Sequence, residues 1–248
     1  MPGSLPDRLG AALEAIVISD RWVTDRRGFV AEAEGGWQGG LLRVVRACAQ
    51  GDALLPQRWR PHFQALPDRA AVLLNAFPYL WLQADAYGHH AAGVADWAIG
   101  LGRSAATVGG CGDLFSLICQ EMNAAGAGET GVGAPDRKAN PLGAVLQLVT
   151  ASQGEFAVVL GAAHQRGWAG PDVALAALVV GLTRGRGGVP ACLRQRWLVE
   201  RSEAGQEGWG GLDAENLAAI AASLHYRWSG GEPSDRLDRH CFPLGIRV

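Results

Sequence analysis

Lysine is almost missing from this chain: Lys138 stands alone, and arginine carries the rest of the positive charge. With a formal net charge of -2 there is no global basic field to draw in nucleic acid. Cysteine is sparse. The five residues Cys48, Cys111, Cys119, Cys192 and Cys241 form no C-x-x-C pair, and their number is odd. That argues against a disulfide framework and a zinc knuckle, and points to buried free thiols in a reducing compartment. No apolar run reaches the ~20 residues a membrane span needs; the most apolar stretch, 70–82, is short and contains Pro78. Met1 to Asp20 has no basic region followed by an apolar core, so no secretory signal is expected and a cytoplasmic location is. Sustained alternation, Asn-Gly and Asp-Gly are also missing, which excludes a hairpin-built fold. Nor is there a Walker A loop, an H-E-x-x-H or a Ser nucleophile elbow.

What is present is helical periodicity. Apolar residues make up 48% of the 248 positions and charged residues 19%, ample for a buried core. Stripes at helical spacing run through Leu9, Leu13, Ile16 and Val17; through Leu41, Val44, Val45 and Cys48; through Val94, Trp97, Ala98 and Leu101; and through Leu114, Leu117, Ile118 and Met122. Residues 70–82 are apolar on all sides, as in a buried central helix that Pro78 should kink or end. Asn140 and Pro141 supply a cap and a first turn, and Asp213 caps the last helix. Short apolar helices are expected at 156–164, 173–182 and 193–199. We expect one all-α domain over 1–248, a compact multi-helix bundle, with a flexible loop at about 123–140, another loop at 201–211 and a tail at 229–248 whose Phe242, Leu244 and Ile246 dock on the core.

Residues 156–197 carry a resemblance. Gly167-Trp168-Ala169-Gly170-Pro171-Asp172 is followed by Gly181 and Gly185, then Val189-Pro190 and Trp197. The frame resembles the C-terminal part of the ADP-ribosylglycohydrolase family, where a Gly-Gly-Asp-Thr-Asp-Thr motif precedes a glycine-spaced helix, Ile-Pro and a tryptophan. Arg8-Leu-Gly-Ala-Ala-Leu13 resembles that family's opening helix, with Ser19-Asp20 near its Gly-Asp-Ala, and 65–83 its buried helix rich in Ala, Pro and Leu. The likeness is closest to divergent, truncated members of the kind found in cyanobacteria. It implies the family's fold. The family's enzymes hold two magnesium ions in two aspartate clusters, and here the departures matter. The first cluster falls on Trp37-Gln38-Gly39-Gly40-Leu41, with Gly39 and Gly40 at the aspartates; the second puts Trp168 and Gly170 there. Asp20 and Asp172 remain nearby. Magnesium needs oxygen ligands in near-octahedral array, which indole and glycine do not supply.

The resemblance therefore implies a catalytically degenerate, non-metal-binding relative with no cofactor and no catalytic residue. Asp20, Trp37, Gly39, Gly40, Trp168, Gly170 and Asp172 would line its vestigial cleft, with the tryptophans filling it. It would act as a binding or assembly module for an unknown protein or nucleotide-like ligand. Two alternatives stay open: a divergent hydrolase that removes ADP-ribose from protein side chains, using Asp20, Asp172 or Glu34 in a new arrangement, and an unrelated helical structural or regulatory protein.

Other patterns have plainer readings. Gly100-Leu-Gly102-Arg-Ser-Ala105 matches G-x-G-x-x-A but follows a helical stripe rather than a strand, so it reads as a helix terminus. His89 and His90 are adjacent, point about 100° apart in a helix and seldom share an ion. His164 reads as a core histidine. Thr183 to Gly188 reads as a helix C-terminus with arginines at its negative end. Arg58, Trp59 and Arg60 either form an exposed anchor for a partner or sit in a loop that packs Trp59 on the core.

Overall fold

The computed structural model describes residues 4–27, 36–51, 54–84, 91–123, 137–200, 209 and 212–231. Among these the chain is all helix, without a strand. The segments are α1 (Leu5–Arg27), α2 (Trp37–Gln50), α3 (Pro56–Ala65), α4 (Arg69–Gln83), α5 (Ala91–Gly100), α6 (Ala105–Asn123), α7 (Pro141–Ala151), α8 (Phe156–Gln165), α9 (Gly170–Arg184), α10 (Ala191–Arg194) and α11 (Ala214–Trp228), with a 3₁₀ turn at Arg186–Gly188 and a π-helical turn at Gln195–Glu200. One apolar core runs through them from Leu9 to Leu224. No described helix is long and apolar enough to cross a membrane.

Helix α9 is the axis. Every residue from Pro171 to Leu182 is buried, so it can be apolar on all sides. Its main neighbour is α1, and three contacts fix their antiparallel alignment. Asp7 accepts from the backbone N–H of Arg186, Gly181 lies against Ala11 and Ala12, and Gly170 lies beside Asp20. The Gly181 contact is backbone on backbone: a Cβ there would come within 2.6 Å of Ala12 Cα and 2.7 Å of the Ala11 carbonyl oxygen. A second fastening is ionic. The fully buried Glu14 accepts from Arg186 Nη2 at 2.8 Å and from Arg194 Nε at 2.7 Å. Both arginines keep partial access to water, which softens the desolvation cost. Arg21, also buried, donates to the carbonyl oxygens of Trp197 and Leu212 and ties the start of the chain to its last third.

Several expected boundaries hold. Asn140 accepts from the Gly143 N–H at 2.8 Å ahead of Pro141, and Asp213 accepts from the Asn216 N–H at 2.7 Å. Gly185 ends α9 at φ 64 with Arg184 in the last turn. The 100–105 glycine pattern does join two helices, with Gly102 at φ +73.

Three expectations change. Residues Leu55 to His62 are not a loop: α3 starts with Pro56 at its first turn and carries Pro61 inside. The bond that Pro61 cannot make belongs to the Gln57 carbonyl, and both residues are exposed, so water can serve it. Of the two outcomes expected of Pro78, ending the helix does not occur: it stays inside α4. Cys192 is exposed, while Cys48, Cys111 and Cys119 are buried, and none of the four is in a disulfide. Most of the expected loop at 123–140, most of 201–211, most of the tail from 229, and Glu34, His89, His90 and Cys241 lie outside the described residues.

Gly181→Ala should gain up to about 1 kcal/mol of helix propensity and lose more by forcing α1 off α9. The expected net loss is about 1–2 kcal/mol by urea unfolding; equal or greater stability would show that the two backbones do not touch there.

Candidate functional site

The antiparallel pairing brings the middle of α1 to the start of α9, and the first turn of α2 closes over the same point. Asp20 sits there, 6% exposed. Its Oδ2 accepts from Trp209 Nε1 at 2.8 Å and from Gln38 Nε2 at 3.3 Å. Trp37 stands edge-on to Trp209, ring centroids 5.6 Å apart. Gly170 is the fourth wall: a Cβ added to it would lie 3.3 Å from Asp20 Oδ1 and 4.0 Å from Trp37 Nε1. Asp20, Trp37 and Gly170 therefore do converge. Trp209 and Gln38 complete the group. Trp209 also lines a separate apolar gap between α1, α2 and α11 of about 10 Å³, room for one water molecule at most.

Trp168 and Asp172 form a neighbouring group held by one arginine. Arg137 pairs with Asp172 Oδ2 at 2.5 Å, and its guanidinium carbon lies 5.9 Å from the Trp168 ring. Burial pushes the Asp172 carboxyl above the usual range, and nearby Asp68 adds to the rise; Arg137 and the Ala169 N–H work against it.

Gly39 and Gly40 do not reach Asp20. A Cβ on Gly39 would meet nothing within 4 Å. Gly40 faces α3 and α4, where a Cβ would come within 2.5 Å of His62 Cε1 and 2.7 Å of Asn75 Oδ1. It leaves room for a small polar network. A guanidinium can only donate, so His62 Nδ1 accepts from Arg43 Nη2, at 3.2 Å. His62 Nε2–H then donates to Asn75 Oδ1 at 3.1 Å. Asn75 is oriented in turn by donating to the carbonyl oxygens of Trp37 and Ala71. The first turn of α2 thus carries its tryptophan toward Asp20 and its second glycine toward His62.

The Arg58, Trp59, Arg60 trio divides. Arg60 donates twice to the Gly100 carbonyl oxygen, at 2.9 and 2.7 Å. Trp59 is half-buried, edge-on to His62 at 5.7 Å. Arg58 is exposed. Arg60 alone thus ties α3 to the end of α5. His164 is half-buried, edge-on to Trp22 at 5.5 Å.

Among the described residues, no three of His, Cys, Asp and Glu gather closely enough to hold a metal ion. Searches against models of known families, against curated proteins and against solved structures found no match for this chain.

Two outcomes follow. Trp209→Phe keeps the ring but leaves Asp20 short of a donor, and should lower unfolding free energy by about 1–3 kcal/mol; an unchanged denaturation midpoint would mean water replaces the indole freely. His62 should titrate below its ordinary value of 6.5, because burial disfavours the imidazolium and Arg43 and Arg103 repel it. A base with a depressed folded pKa lends stability that is full above the unfolded value and is lost as pH falls through the folded one. Stability should therefore drop on acidification below about pH 6.5, and His62→Gln should flatten that part of the profile. A His62 proton resonance titrating above 6.5 contradicts this.

Proposed function

We propose that this chain is a catalytically degenerate ADP-ribosylglycohydrolase-like protein, one that acts by binding or assembly and not by metal-dependent hydrolysis. The observation that carries the reading is the state of Asp20. It is one of the two acidic residues that the likeness leaves near the former metal clusters, and its Oδ2 is already taken by an indole N–H and an amide N–H.

The donor set around it does not fit two magnesium ions. Magnesium sheds its water reluctantly and wants several oxygens in octahedral array. Trp37, Trp168 and Gly170 offer no side-chain oxygen, and Asp172 is committed to Arg137. Trp37 and Trp209 stand edge-on to each other and present apolar surface beside Asp20. Replacing converging carboxylates by packed rings removes charge repulsion and a desolvation cost, and is compatible with a stable fold. The ligand or partner recognised would be a protein surface or a nucleotide-like molecule.

The test is direct. The purified chain, incubated with ADP-ribosyl-arginine peptide and millimolar magnesium, should release no ADP-ribose above a protein-free control. Release that depends on magnesium and is lost in Asp20→Asn would overturn the proposal and favour a divergent hydrolase.

A further inference from the structure

Away from the Asp20 group, the first turns of α4 and α7 and the flank of α6 line a half-open cavity of about 220 Å³. It is smaller than the ~300–1,000 Å³ of pockets for drug-sized ligands and larger than the ~150 Å³ that holds a benzene ring. Its size suits a small metabolite.

Two charges of opposite sign share its wall. Arg69, the first residue of α4, is anchored by donating through Nη1 to the Ala139 carbonyl oxygen. Among the described residues Nε and Nη2 have no partner, and they can form a two-pronged contact with a carboxylate. Asp113, on α6, is exposed and has no ion pair or hydrogen bond with the other described residues. Arg69 and Asp113 are not paired with each other, although both line the cavity. A purely anionic guest would be repelled by the aspartate, and a purely cationic one by the arginine. A guest carrying both charges satisfies both.

The rest of the wall agrees. Helix α6 presents bare backbone there at Gly109 and Gly110, and a Cβ on Gly109 would meet nothing within 4 Å. Leu73 and Pro141 supply an apolar floor. The polar N–H groups of the two helix starts are partly satisfied already, through Asp68 and Asn140. Charge selection therefore falls to Arg69 and Asp113.

We propose that the cavity between α4, α6 and α7 binds a small zwitterion of the α-amino acid class, its carboxylate on Arg69 and its ammonium on Asp113. The proposal stands independently of the reading of the Asp20 group.

Thermal unfolding and titration calorimetry with the twenty free L-amino acids test it, with acetate and ethylammonium as guests of a single charge. At about ten times its Kd, at least one amino acid should raise the melting temperature by roughly 3–6 °C. Arg69→Gln and Asp113→Asn should each weaken that amino acid's binding at least tenfold. Acetate and ethylammonium should produce no shift. Gly109→Leu fills the space with a good helix former, and should melt at or above the wild-type temperature while binding nothing. The proposal is overturned if no amino acid shifts the wild-type protein, if either charge variant binds as tightly as wild type, if a guest of one charge does as well, or if Gly109→Leu still binds.

Discussion

The contact of Gly181 with Ala11 and Ala12 sets the register of the two helices on which everything else rests. Where two helical backbones touch there is no side chain to adjust, so the pair cannot slide without a clash or a void. From that one point the other alignments follow along α1. Toward its start, Glu14 meets Arg186 and Arg194, and Asp7 meets the Arg186 N–H. Toward its end, Asp20 meets Gly170 and the α2 turn. A slip of one helical turn would leave Glu14 as a buried, unpaired charge, among the most expensive errors a core can make. Steric and ionic constraints thus enforce the same register.

The buried polar residues of α1 divide the labour. Glu14 and Arg21 tie the helix to distant parts of the chain, through arginine side chains in one case and backbone carbonyls in the other. Asp20 belongs to the packed indole group. None of the three has its charge facing apolar atoms alone. The helix is apolar enough to be central, yet each polar side chain specifies one neighbour, which selects one arrangement from the many that small apolar residues permit.

How much of this could be read from residue order depends on the range of the interaction. Asn140 and Asp213 act on an N–H three residues away, so their caps are legible locally. The apolar stripes are legible because their period is that of the helix. The convergence of Asp20, Trp37 and Gly170 was reached through the family likeness. Trp209 was not placed at that site, because a tryptophan in a glycine-rich stretch carries no local sign of its acceptor 189 positions away. Helix α3 is not legible locally, because two prolines so close together look unlike a helix, yet Pro56 stands at a first turn and Pro61 faces water. Gly40 was assigned to the vestigial cleft, whereas a step of two positions around a helix turns a residue by about 200°, so Gln38 and Gly40 serve opposite neighbours. The partners of His62 depend on α2, α3 and α4 meeting, which no single segment encodes.

The Glu14 fastening has a consequence for biogenesis. Its arginine partner Arg186 lies 172 positions later. At a synthesis rate of about 5–20 residues per second, roughly 9–34 s pass between the two leaving the ribosome. For that interval the nascent first helix carries an acidic group and a small-residue face with nothing to receive them. The native topology cannot close until most of the polypeptide has emerged, so this is a late-committing chain, in which holding by a chaperone during translation would guard against premature self-association.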